Sequence, residues 1–538
     1  MTRKQKNRIL SPDAPLMHND HPRPRTRREF IKQGFMTGSA SIIGGGALSL
    51  FANPKQALAA LAPDLSALAG AMSNCSLSAS SGDFKVPFIC FDLAGGANLA
   101  GSNVLVGQGD GQLDNVSTAG FSKLGVPGDM VPGLDSTNFT LLNPSTNNDF
   151  VNDDLNLLFH ADSAMLLGIR EKAGAALGSI DGCVIPARSD NDTGNNPHNP
   201  LYGISLAGGK GDVVQLIGSR NSESGGNSMA PAALINPEVL PTKIDRRTDV
   251  TGLVDIGNLT GILSDPDDVT AVFESIARLT HKKLQDVDVS TTLTNDAVLK
   301  ELMQCGYIKA AEIADRFAPL PSMDPADDPD IQAIFSPTEF NDSEFEKTAS
   351  VMKLVMNHHA AGGCITMGGY DYHTGDRTTG ENRDLRAGRC IGACLNYAAR
   401  LGTPLMIYVY SDGSVFSNGA PDNSASSGDR LGGRGKGNWT GDNSSTACSF
   451  ILTYKPGGVI SLQRQIGRFS ADASVVTSAT PAANNPNLLV NMVILNYMAA
   501  NGDISPGNTS AFTNLFTSNG LSHGLGSGLD NYIAFGAL

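Results

Sequence analysis

Val86-Pro87-Phe88-Ile89-Cys90-Phe91-Asp92, running on into Leu93-Ala94-Gly95-Gly96-Ala97-Asn98, is the stretch on which the fold turns. Its apolar residues follow one another without alternation, so both faces of the strand are buried, as in a parallel sheet covered by helices on each side. The run ends at a carboxylate followed by two glycines. In parallel sheets that carboxyl end faces the ligand crevice.

Working outward, similar runs occur at Ala164–Ile169, Val213–Gly218, Cys364–Gly368, Leu405–Tyr410 and Ser449–Tyr454. Helical spacing of apolar residues covers Val269–Leu284, Asp296–Phe317, Glu344–Ala361, Asn382–Leu401 and Asn487–Ala499. Strands alternating with helices predict an α/β fold with a mainly parallel, doubly wound sheet. One such domain is expected over residues 85–538, after a linker at 60–84. Two loops stand out. Residues 412–446 are Gly, Ser, Asn and Asp with almost no apolar content, which reads as a lid or a mobile excursion. Asp324–Asp330 (DPADDPD) reads as a solvated, acidic, Pro-rich linker.

The N-terminus reads as a twin-arginine signal peptide. Arg27 and Arg28, with Phe30 two positions on, precede a Gly- and Ser-rich apolar run from Gly34 to Phe51, and Ala57-Leu58-Ala59 suits cleavage near Ala59. That run is a poor bilayer span, so no stable membrane span is expected in the mature protein. The expected route is the twin-arginine translocase, which carries folded chains to the periplasm or cell surface. The formal charge of −14 falls further, to roughly −20, once the basic signal is removed, which argues against nucleic acid as a partner. All eight cysteines lie beyond the cleavage point. A chain folded in a reducing compartment forms any disulfide late, so most of them read as buried small apolar residues. Cys390 and Cys394, four apart on a helix, share one face.

Candidate chemistry gathers where strands end. Asp92 follows the first strand, Asp371 and His373 follow another in Gly368-Gly369-Tyr370-Asp371-Tyr372-His373, Asp412 follows a third, and Asp442-Asn443 close the long loop. Carboxylate oxygens with an imidazole suit Zn, Mn or Mg, and such a site activates water or polarises an ester. The competing reading is that Asp and Asn here start turns and cap helices. His198 lies in a turn-rich loop and reads either as a substrate-side residue or as a surface histidine. Asp190–Gly194 lacks the closing Glu of a calcium loop. Gly432–Gly437 (GGRGKG) lacks the Ser or Thr and the leading strand of a phosphate loop, though Arg434 and Lys436 could meet an anion. Ser522 sits in a G-x-S-x-G pattern, but no strand precedes it and too little chain follows to supply the acid and histidine in the usual order. His358 and His359 end a helix and suit its last carbonyls. No haem, iron-sulfur, molybdenum or flavin motif is present, so no organic cofactor is expected.

On Gly95-Gly96-Ala97-Asn98, Asn196-Pro197-His198-Asn199 and the GGYDYH motif at 368–373, the chain resembles an uncharacterised twin-arginine-exported bacterial family, a domain of unknown function whose fold is similar to that of alkaline phosphatase and sulfatase. The resemblance runs over most of residues 85–460. It implies a metal-dependent hydrolase of phosphate or sulfate esters, with Asp92, Asp371, His373, Asp412 and Asp442 as metal ligands and His198 near the substrate. A small anionic ester would be its substrate. The chain departs from the family at Ser411-Asp412-Gly413-Ser414-Val415, where the family shows Ser-Glu-Phe-Gly-Arg, and at Asp442-Asn443-Ser444, where it shows Asp-His-Gly. A neutral amide is a poor zinc ligand, so one metal position is weakened, leaving a single ion or a harder one such as Ca or Mg. The alternative is a non-catalytic binding or assembly protein, a pseudoenzyme whose partner is an envelope component. The nucleophile stays open between Ser102, Ser205 and others.

Overall fold

The computed structural model describes residues 62–70, 84–189, 196–254, 266–286, 296–317, 323–458 and 461–538. The export signal and the Asp190–Gly194 segment lie outside the described residues.

Eleven strands are present among the described residues: β1 (Phe88–Leu93), β2 (Val151–Asn152), β3 (Phe159–His160), β4 (Ile180–Pro186), β5 (Val214–Gly218), β6 (Thr242–Lys243), β7 (Ala360–Met367), β8 (Leu405–Ser411), β9 (Val415–Pro421), β10 (Gly437–Asp442) and β11 (Cys448–Tyr454). Seven of them form one sheet in the order β4-β11-β8-β1-β7-β5-β6. β1 is parallel to β7 and β8, and β5 is parallel to β6 and β7. Only β11 runs against its neighbours, β8 and β4. The sheet is therefore mixed and mostly parallel, and the carboxyl ends of β1, β4, β5, β6, β7 and β8 share one edge.

β1 explains the architecture in miniature. Phe88 and Cys90 join the core with the helices Leu201–Leu206 and Pro486–Ala500, whereas Ile89, Phe91 and Leu93 join the one with Ala164–Ala173, Ser343–Met356 and Thr378–Leu401. Alternate residues thus serve two apolar cores on opposite faces, which is why the run shows no polar alternation.

Five of the six expected strands form. Ala164–Ile169 does not. It opens the helix Ala164–Ala173, whose cap Ser163 accepts the Leu166 N–H, and the polar Arg170, Glu171 and Lys172 fill its last turn. A short apolar run does not by itself separate a buried strand from a buried helix. The strand β4 that follows was not expected from the sequence. The expected helix to Ala361 stops at Met356, and Ala360 already belongs to β7.

Two segments read as loose are built in. Asp324–Asp330 forms a 3-10 turn and the start of the helix Pro329–Ile334, and the buried Asp328 accepts from Lys353 (2.5 Å) and the Tyr397 hydroxyl (2.8 Å). Within the expected linker, Pro63–Gly70 is helical with Leu65 and Ala69 buried. Six cysteines are free and buried, Cys390 and Cys394 among them, as expected of small apolar residues, while Cys305 is disulfide-bonded. No described helix is long and apolar enough to cross a membrane.

Candidate functional site

The loops that follow β1 and β7 meet because glycine lets them. Gly95 has φ +114°, and a Cβ there would lie 2.7 Å from the Asp371 backbone nitrogen. The Ala94 N–H donates to Met367 O (2.9 Å) and the Tyr370 N–H to Ala94 O (3.2 Å), which ties the two loops together. Tyr370 and Tyr372 turn inward and are buried, and the Tyr372 hydroxyl accepts the Asn98 N–H at 3.1 Å. The Tyr372 N–H donates to Tyr370 O (3.0 Å), closing a tight turn that leaves Asp371 exposed at its tip and His373 half-exposed after it.

Their third member comes from the long loop. Residues 412–446 contain the antiparallel hairpin β9–β10, and Asp442 ends β10. His373 Nε2 stands 2.5 Å from Asp371 Oδ1 and 3.7 Å from Asp442 Oδ1. One ligand atom from each of the three lies within 4.8 Å of the others. Among the described residues Asp442 Oδ1 is buried without a hydrogen-bond partner, although its side chain as a whole is 29% exposed. Such an atom costs free energy unless something electropositive meets it. Two carboxylates and an imidazole, one oxygen of them orphaned, make a donor set that fits a divalent cation.

Asp92 and Asp412 do not join this group. They form a buried pair beneath it, with every side-chain oxygen already held. Asp92 Oδ2 accepts the Asn227 and Ser228 N–H groups (2.7 and 2.8 Å), and Oδ1 accepts the Ser228 hydroxyl (3.1 Å). Asp412 Oδ1 accepts the Gly95 N–H (2.7 Å), and Oδ2 accepts the Asn227 side-chain amide (2.8 Å). Burial, then the neighbouring Asp412 charge, pushes the Asp92 pKa up to about 7. The pair braces the loops: Gly95, which touches Asp371, hangs from Asp412.

His198 is buried rather than on the surface. Nε2 lies 2.9 Å from the Ser189 hydroxyl, the ring stacks on Tyr410, and burial lowers its pKa to about 4, so it is neutral. Asn196, two residues before it, donates to Asp412 O at 2.6 Å. Asn443 is turned away from ligation, since its side-chain oxygen accepts the Ser445 N–H (2.9 Å) and hydroxyl (2.6 Å) as a turn cap. Ser205 accepts the Gln215 amide at 2.9 Å, and Ser102 is buried with no hydrogen-bond partner for its hydroxyl among the described residues.

Arg434 and Lys436 meet protein carboxylates, not an external anion. Lys436 Nζ bonds Glu381 (2.6 Å) and Asp162 O (2.8 Å), and Arg434 bonds Asp162 (2.7 Å). Arg377 completes the network, pairing with Glu381 at 2.8 Å and lying 4.3 Å over the Trp439 ring. The loop expected to be a lid or excursion is fastened to the core by these buried ions. Sequence reading missed Asp162, Glu381, Asn227, Ser228 and Ser189. Glu381 and Arg377 are spaced i, i+4 on a helix and could have been found as a pair, but nothing local marks the others. Compared with known protein families, curated proteins and solved structures, the chain matches none.

Proposed function

We propose that this protein is an exported metal-dependent hydrolase of phosphate or sulfate esters, built on an alkaline-phosphatase-like or sulfatase-like core. The observation that carries the reading is the convergence of Asp371, His373 and Asp442, with Asp442 Oδ1 buried and without a hydrogen bond among the described residues. These three would hold a divalent ion (Zn, Mn, Mg or Ca), which when bound would supply Lewis-acid polarisation of the ester. Three protein ligands leave coordination positions open, as catalytic sites require. The remaining residues act on the protein itself. Asp412 and Asn227 hold the Gly95 loop against Asp371, and the β9–β10 hairpin presents Asp442. His198, neutral, fixes the Ser189 hydroxyl. The twin-arginine start supports export of the folded chain to the periplasm or cell surface.

A second reading, a non-catalytic binding protein of the envelope, draws on Asn443 and Asp412, both consumed as structural groups where extra ligands would be expected. Elemental analysis separates the two. Protein purified from the periplasm after native export, without chelator, should carry about one ion per chain, lost in Asp371→Ala and His373→Ala. A metal-free, stably folded protein would transfer the case to the binding reading.

A further inference from the structure

A crevice of about 630 Å³ opens at the same sheet edge, beyond the ends of β5, β6 and β7. Its volume is that of a small-molecule site, but its lining is not the usual apolar one. Ser219, Asn221, Ser222, Asn227 and Thr366 supply hydroxyls and amides, and no aromatic or large aliphatic side chain takes part. An apolar ligand would find nothing to bury against. A ligand rich in hydroxyl groups would find donors and acceptors on every wall.

The charges are sorted. Lys347 pairs with Glu344 (3.0 Å) and Lys243 with Asp245 (2.9 Å), so four of the five charged lining groups cancel. Arg220 is the fifth. Its guanidinium makes no ion pair or hydrogen bond among the described residues, and it follows Ser219, which is locked by accepting the Thr366 N–H at 2.7 Å. One uncompensated guanidinium over neutral polar walls, on a chain of formal charge −14, is a local reversal of sign that selects an anion. The crevice also touches the site already described. Asn227 lines it while donating to both Asp92 and Asp412. Gly368 lines it three residues before Asp371.

We propose that this crevice is a ligand subsite for a polyhydroxylated compound carrying a tetrahedral oxyanion, a sugar or polyol phosphate or sulfate, with Arg220 gripping the anion. The assignment deepens the ester-hydrolase reading and rests on it only for the reacting bond, because binding here needs no metal. Glu344, Lys347 and Ser219 shape the walls, and Asn221, adjacent to Arg220 in sequence and with its side chain also unbonded among the described residues, offers an amide to a ligand hydroxyl.

The test is titration calorimetry of the exported protein with glucose 6-phosphate, glucose 6-sulfate, inorganic phosphate and glucose. At least one of the two glucose esters should bind more tightly than inorganic phosphate or glucose, and their ratio tells a phosphate from a sulfate subsite. Arg220→Gln should weaken that ester at least tenfold while leaving metal content and thermal midpoint unchanged, as suits an exposed side chain. His373→Ala, with its metal lost, should keep the affinity within about threefold. Binding lost in His373→Ala but unchanged in Arg220→Gln would overturn the proposal by placing the anion at the metal group. So would failure of both esters to bind, or binding no tighter than that of inorganic phosphate. Metal content is read separately, so a failed crevice and a failed metal site give different results.

Discussion

Buried carboxylates are informative residues here because each must be paired, neutralised or strained. Among the described residues Asp384 is held by one hydrogen bond, from Asn103 (2.8 Å) to Oδ2, while Oδ1 has no hydrogen-bond partner. Burial, reinforced by the Glu381 charge, pushes its pKa up to about 7 from the usual 3.8. The folded protein therefore keeps a proton that the unfolded chain has already lost, and stability falls as pH rises from about 4 to about 7. Asp384→Asn removes this loss. Its urea midpoint should match wild type near pH 4 and exceed it at pH 8, where its unfolding free energy is larger by as much as roughly 4 kcal/mol if the whole shift is realised. Equal midpoints for the two proteins at pH 8 would show that Asp384 ionises without penalty. Asp92 contrasts with it. Three donors hold its oxygens, and its role is read from geometry rather than charge.

Among elements, the β9–β10 hairpin does most to complete the site, and it was the least legible. Its sequence is polar because its anchors are ionic: Lys436 and Arg377 are buried with Glu381 and Asp162, and of its large aromatics Trp439 is fully buried while Phe416 is half-buried against Gly441. Composition alone reads such a segment as loose, since a buried ion pair looks like a surface charge until its partner from another element is known. The strands were legible for the opposite reason: β1, β5, β7, β8 and β11 carry their burial in their own residues. So were the strand-end positions of Asp371, His373 and Asp442. That Asp92 and Asp412 would be enclosed instead depended on Asn227 and Ser228, far away in sequence. Lys436→Met tests the anchor. It leaves Glu381 and Asp162 with one cation each in a buried setting and should cost roughly 3–5 kcal/mol. Because the hairpin carries Asp442, bound metal should fall too, and the half-exposed Arg434→Gln should do less on both measures. A Lys436→Met protein as stable as wild type would mean that Arg377 and Arg434 hold the hairpin alone.

For the whole molecule, the six free cysteines and the proposed export route bear on each other. Cys90, Cys183, Cys364, Cys390, Cys394 and Cys448 are buried in two cores on opposite faces of the sheet. Burial holds the thiols of Cys90, Cys183, Cys390, Cys394 and Cys448 well above their ordinary pKa. A thiol with no thiolate and no access is inert to oxidants. That protection exists only once the sheet is closed. Cys90 and Cys364 lie directly opposite on β1 and β7, so a chain entering an oxidising compartment unfolded would expose six thiols able to bridge wrongly. A folded chain would expose none of them. The native protein from the periplasm should therefore resist alkylation at these six positions and react at all six after denaturation. Replacing residues 1–59 by a signal for the unfolded-chain route should give mis-bridged, protease-sensitive protein, and mutation of Arg27 and Arg28 to lysine should leave the natural precursor in the cytoplasm. A correctly folded product with six free thiols from the unfolded-chain route would show that the cysteines place no demand on how the protein is exported.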